Sequence, residues 1–130
     1  MPFDQYHEPP AELPQATRTY ARMIASLIEE AEAIGWYAQR MSIEQDAEAR
    51  AIMADAQMEE FKHFSMDLEF LLRKTPIWRE IAQGILFQPG DIVAHGEEAE
   101  EEAVEGAASR GEPLPGGLSL GIGSLKGVDA

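Results

Sequence analysis

Two consecutive stretches of this chain repeat apolar residues at helical spacing, and both apolar faces contain residues that ligate metals. In the first, Tyr20, Met23, Ile24, Leu27, Ile28, Ala31 and Ile34 recur every three or four positions, with Glu30 standing among them. In the second, Ile52, Met53, Ala56, Glu60, His63, Phe64, Asp67 and Leu71 share one stripe. Burying a carboxylate on a core face costs roughly several kcal/mol per charge unless something compensates it. No Lys or Arg occupies the matching stripe positions. A divalent cation would supply the compensation, and a salt-bridged Glu–His network is the other reading. Glu-x-x-His places Glu60 and His63 on adjacent turns of one face, where they can share one ion. An oxygen-rich set with one imidazole suits Fe(II), Mn(II) or Zn(II).

Pro14 fits a first helical turn, so the first helix is expected to run from there to about Arg40. Ser42-Ile43-Glu44-Gln45 reads as a capping box opening the second, which continues to about Lys74. So short a connection forces an antiparallel hairpin. Thr75-Pro76 opens a shorter helix over Ile77 to Leu86, and Asp91 caps a last one expected to end near Gly96. The fold class is therefore all-α: a two-helix hairpin plus short C-terminal helices over residues 1–96. Two helices bury one face poorly and need a partner surface. Residues 97–117 begin with six glutamates between Glu97 and Glu105 and continue rich in Gly, Pro and Ser, which reads as a flexible, disordered acidic linker. Residues 118–127 then return Leu118, Leu120, Ile122 and Leu125 among small residues, a pattern suited to capture in another protein's groove.

A formal net charge of −14 argues against nucleic acid as a partner, which requires a basic face. No apolar run approaches the length that spans a bilayer, and no membrane association is expected. Met1 to Glu12 is polar and Pro-rich, unlike a secretory leader, so a cytoplasmic protein is expected. The chain has no cysteine, which excludes disulfides and thiolate metal sites.

Ferritin-like di-iron bundles use one Glu from each of two helices and Glu-x-x-His from each of the other two. This chain holds half of that set, so a two-fold homodimer would complete both the four-helix bundle and the ligands. The fit carries an offset: Glu30 lies about ten residues before its expected helix end and Glu60 about fifteen after its expected start. At roughly 1.5 Å per residue, that is about one and a half turns.

Met23 to Phe70, with Glu29-Glu30-x-Glu32-x3-Trp36-Tyr37 and then Glu59-Glu60-x2-His63, resembles the encapsulated ferritin-like proteins. His7-Glu8-Pro9 resembles the family's N-terminal arm, and the tail Leu118 to Gly127 its cargo-loading peptide. The resemblance implies a ferroxidase that oxidises Fe(II) with O₂ at a di-iron centre on a dimer interface. It further implies a ring-shaped homodecamer packed through its tail inside an encapsulin nanocompartment, where the shell stores the mineral. Glu30, Glu60 and His63 would then be the iron ligands. Tyr37 would steady a ligand carboxylate, and Glu29 and Glu32 would capture or guide iron. Trp36 fits interface packing. Asp67 is open between an extra ligand and an ordinary acid. Two rivals stand beside this reading: a non-enzymatic helical adaptor with a structural Glu/His network, and a rubrerythrin-type peroxidase, against which the missing cysteines count.

Overall fold

The computed structural model describes residues 4–114, and secondary structure among them is entirely helical. A 3₁₀ turn at Pro10–Glu12 precedes four helices: α1 (Gln15–Ile43), α2 (Ala47–Lys74), α3 (Pro76–Ile85) and α4 (Ile92–Ser109). The chain divides into two units, Met1–Leu71 and Leu72–Ala130.

In the first unit, α1 and α2 form the expected antiparallel hairpin. Residues nearer the turn on α1 meet residues nearer the turn on α2, and those farther out meet likewise: Gln57 Nε2 donates to the Ile34 carbonyl at 3.1 Å, and Glu30 meets Asp67. The connection differs from the expected one. Ser42 lies inside α1, its hydroxyl donating to the Gln39 carbonyl, a bond compatible with continued helix. Asp46 caps α2 instead: its Oδ1 accepts from the Ala49 N–H at 2.9 Å, and its own N–H donates to the Glu44 carboxylate. The Arg50 guanidinium closes the turn by donating to the Glu44 carbonyl. These shifted ends remove the expected offset. Glu30 stands thirteen residues before Ile43, and Glu60 thirteen after Ala47.

The long α1 has no buried residue within the single chain, and its apolar stripe remains half-exposed. Ile52, placed on the core stripe by spacing, is exposed. Met58, Phe61 and Met66 are exposed as well, so α2 carries large apolar groups on more than one side. Apolar surface so arranged favours association.

In the second unit, α3 and α4 pack antiparallel. Thr75 and Pro76 take the N-cap and first helical positions of α3 as expected. Asp91 caps α4, accepting from the Ala94 N–H at 3.0 Å. A Cβ on Gly84 would lie 2.5 Å from the Ala99 Cβ, so glycine lets the two helices approach.

The acidic segment departs from the expectation of a linker. α4 does not end near Gly96; it continues through residues 97–109 to Ser109. Ala99, Ala103 and Ala107, spaced by four, are buried, and the glutamates point to solvent, except for the half-buried Glu100. Ala and Glu are strong helix formers, and the buried alanine seam outweighs repulsion along the exposed face. Gly111, at φ +70°, ends the helix: its N–H donates to Ala108 and that of Glu112 to Ala107, the paired bonds of a Schellman motif. Arg110 then joins Glu80 on α3 at 2.7 Å and Glu112 at 2.9 Å. No helix among the described residues is long and apolar enough to cross a membrane. The tail expected to dock, residues 118–127, lies outside the described residues.

Candidate metal centre

Hairpin geometry brings the interrupted apolar stripes together. Glu30 on α1 is half-buried, and its Oε2 is shielded from solvent with no hydrogen-bond partner. Burial pushes its carboxyl up to about 7, assisted by a hydrogen bond with Asp67 and the negative charges of Asp67, Glu60 and Glu29. All the groups acting on Glu30 are carboxyls. A site built this way is short of positive charge.

Glu60 and His63 lie one turn apart on α2, with His63 Nδ1 3.3 Å from Glu60 Oε1. The Glu60 side chain is 22% exposed and that of His63 42%. His63 Nε2 is 4.0 Å from Glu59 Oε2, beyond hydrogen-bond reach. Glu59 is instead engaged by Lys62 at 2.8 Å, which holds its carboxyl below the usual range. The imidazole therefore presents one nitrogen to Glu60 and leaves the other open on the helix surface.

Asp67, seven residues after Glu60 on the same face, is 8% exposed and has a buried Oδ2 without a partner. The sequence left this residue undecided; its burial against Glu30 makes it part of the cluster. Glu29 and Glu32 are exposed on α1 and make no hydrogen bond to the cluster. Tyr37 is half-buried two turns after Glu30, with the Arg40 guanidinium 5.5 Å over its ring. No hydrogen bond joins the Tyr37 hydroxyl to Glu30, Glu60 or His63. Trp36 is exposed. Among the described residues, no three Asp, Glu or His side chains of the single chain converge closely enough to hold a metal ion.

The donors fit a hard divalent cation. Two buried carboxylate oxygens lack partners, an imidazole stands beside a third carboxylate, and no base compensates Glu30.

The EncFtn-like family model matches residues 5–89, which include all of α1, α2 and α3. The chain belongs to the EncFtn-like family. Among its relatives, the encapsulated ferritin-like protein of Rhodospirillum rubrum is 43% identical over 127 residues, covering 95% of this chain and 89% of that protein. A ferritin-like protein of Thermotoga maritima is 40% identical over 111 residues, covering 85% of this chain and 94% of its own length. A crystal structure of a protein from Nitrosomonas europaea superposes with a TM-score of 0.67 at 39% identity, over 68% of this chain and 98% of that one. The family match covers the Glu30, Glu60 and His63 positions, and its ferritin-like helical fold is the one described above.

The Glu30 environment predicts a pH dependence. With its folded carboxyl raised to about 7 against an ordinary value of 4.5, the folded chain keeps a proton that the unfolded chain loses across that interval. Stability of the cation-free protein should fall as pH rises from about 4.5 to 7. Thermal melts in chelator at pH 5, 6, 7 and 8 read the slope. Glu30→Gln should flatten it, and added Mn(II) should offset the loss at the alkaline end.

Proposed function

We propose that this chain is a ferroxidase whose centre is shared by two copies, oxidising Fe(II) for mineral storage inside an encapsulin compartment. The observation that carries this reading is the uncompensated carboxylate cluster around Glu30, set in a hairpin whose long first helix buries no residue in the single chain. A second hairpin across a two-fold axis completes a four-helix bundle and doubles the donors. Equal spacing of Glu30 and Glu60 from the turn brings both to one level of the hairpin.

Two Fe(II) ions bind there as substrate. Glu30, Glu60 and His63 of each copy would hold them. Anionic oxygen donors favour the trivalent ion, so each Fe(II) gives one electron to dioxygen more readily than in water. Glu29 and Glu32, exposed beside Glu30, collect the incoming cation. Tyr37 and Trp36 act at the interface between copies, where the tyrosine hydroxyl can reach a ligand carboxylate that it does not reach within one chain. The family resemblance supports a ring-shaped decamer, and the apolar residues on more than one side of α2 supply further contact surface. The Leu118 to Gly127 tail serves as the docking segment for the shell, and the protein acts inside that compartment in the cytoplasm.

Aerobic addition of Fe(II) in increments, followed by near-ultraviolet absorbance, tests the activity. A fast phase saturating at about one iron per subunit is expected. The His63–Glu60 contact is also what a structural network in a non-enzymatic adaptor would make, and oxidation no faster than buffer would favour that reading.

A further inference from the structure

The α2 face that carries Glu60 and His63 continues one turn further to Asp67, and nothing in the ferritin-like ligand pattern requires a carboxylate there. Asp67 is the one charged residue among the described positions that is more than nine-tenths buried. Its Oδ2 has no partner, and the Oε2 of Glu30, the residue to which Asp67 is hydrogen-bonded, is unpartnered as well. A buried aspartate kept only for packing would be expected to use both oxygens on backbone or side-chain donors. Here the neighbour is another carboxyl, which can satisfy at most one of them. Two hydrogen-bonded carboxyls that each keep a buried free oxygen can exchange the shared proton for a shared cation.

We propose that Asp67 is an additional metal ligand of this chain, binding the same cation as Glu30. This inference rests on the proposed shared centre and extends its ligand set to three carboxylates and one imidazole per copy. Spacing alone permits it: Glu60, His63 and Asp67 stand at i, i+3 and i+7, one face of one helix. The charge count gives the extra carboxylate a consequence. Two copies of Glu30 and Glu60 neutralise two divalent ions, and two copies of Asp67 raise the total to six negative charges, matching two trivalent ions. Asp67 thereby biases the centre toward the oxidised charge state and tightens retention of cations.

Co(II) is a suitable probe because its visible absorption reports coordination without turnover. Wild-type protein, Asp67→Asn and Asp67→Ser would be titrated with Co(II) by absorbance and calorimetry. Circular dichroism and light scattering would establish that each variant keeps its helicity and assembly. Affinity about tenfold weaker or more in both variants, with a changed Co(II) spectrum, is expected. Asp67→Asn binding Co(II) with wild-type affinity and spectrum would overturn the assignment and leave the shared centre standing. Wild-type protein that binds no Co(II) would overturn the centre itself.

Discussion

Glu60→Ala should lower the rate of aerobic Fe(II) oxidation by about a hundredfold or more and abolish its stoichiometric fast phase. Loss of groups that merely orient metal ligands lowers affinity or activity about 10- to 100-fold, and a direct ligand should weigh at least as much. In a two-fold assembly one substitution removes two carboxylates, because each copy contributes its own Glu60. His63 also loses its 3.3 Å partner and the orientation that it sets. Glu59→Gln is the control on the same helix turn. Its carboxylate is engaged by Lys62 and faces solvent, so the rate should stay within about twofold of wild type. Stopped-flow absorbance on assemblies matched by light scattering reads both variants. A fast phase surviving Glu60→Ala would remove Glu60 from the ligand set.

Deleting residues 118–127 should abolish packaging and leave iron oxidation unchanged. The segment places four large apolar residues among glycines and serines, beyond the clamp in which Arg110 joins Glu80 and Glu112 and closes α4. A short apolar peptide carried by every copy of an assembly gains its affinity from many copies engaging many identical grooves, so its loss should be felt cooperatively. Co-expression with an encapsulin shell, followed by purification of the shell and quantification of this chain, reads the effect. Packaging of the truncated chain at wild-type levels would assign recruitment to the helical body.

The hairpin was legible because two apolar periodicities of 3.6, a short connection and several end signals all agreed. Pro76 and Asp91 behaved as their chemistry requires, Thr75 took the N-cap position without a capping bond from its hydroxyl, and Pro14 stands at the N-cap of α1, one position before the first turn. The turn was misplaced because Ser42 and Asp46 compete as cap residues. The sequence pattern favours the Ser42 box, whereas the structure uses the Asp46 carboxylate, and only that register brings Glu30 and Glu60 level. The acidic segment misled through composition. Six glutamates dominate residues 97–105, while the decisive signal is the four-residue spacing of Ala99, Ala103 and Ala107 followed by Gly111. Alanine is weak as a hydrophobic marker, yet small enough to let α4 close against Gly84. In the candidate centre, motif spacing singles out Glu30, Glu60 and His63 and leaves Asp67 ambiguous. Only burial against Glu30 separates a site carboxylate from a solvated one.

Two chains, each carrying half of the donors, are the core of this reading. Native mass spectrometry after anaerobic addition of Fe(II) tests it most directly, by counting iron on each oligomer in one spectrum. Iron is expected at about two ions per pair of chains, on dimers and higher assemblies only, with monomers remaining iron-free. Monomers that take up iron as readily as dimers would contradict a shared centre.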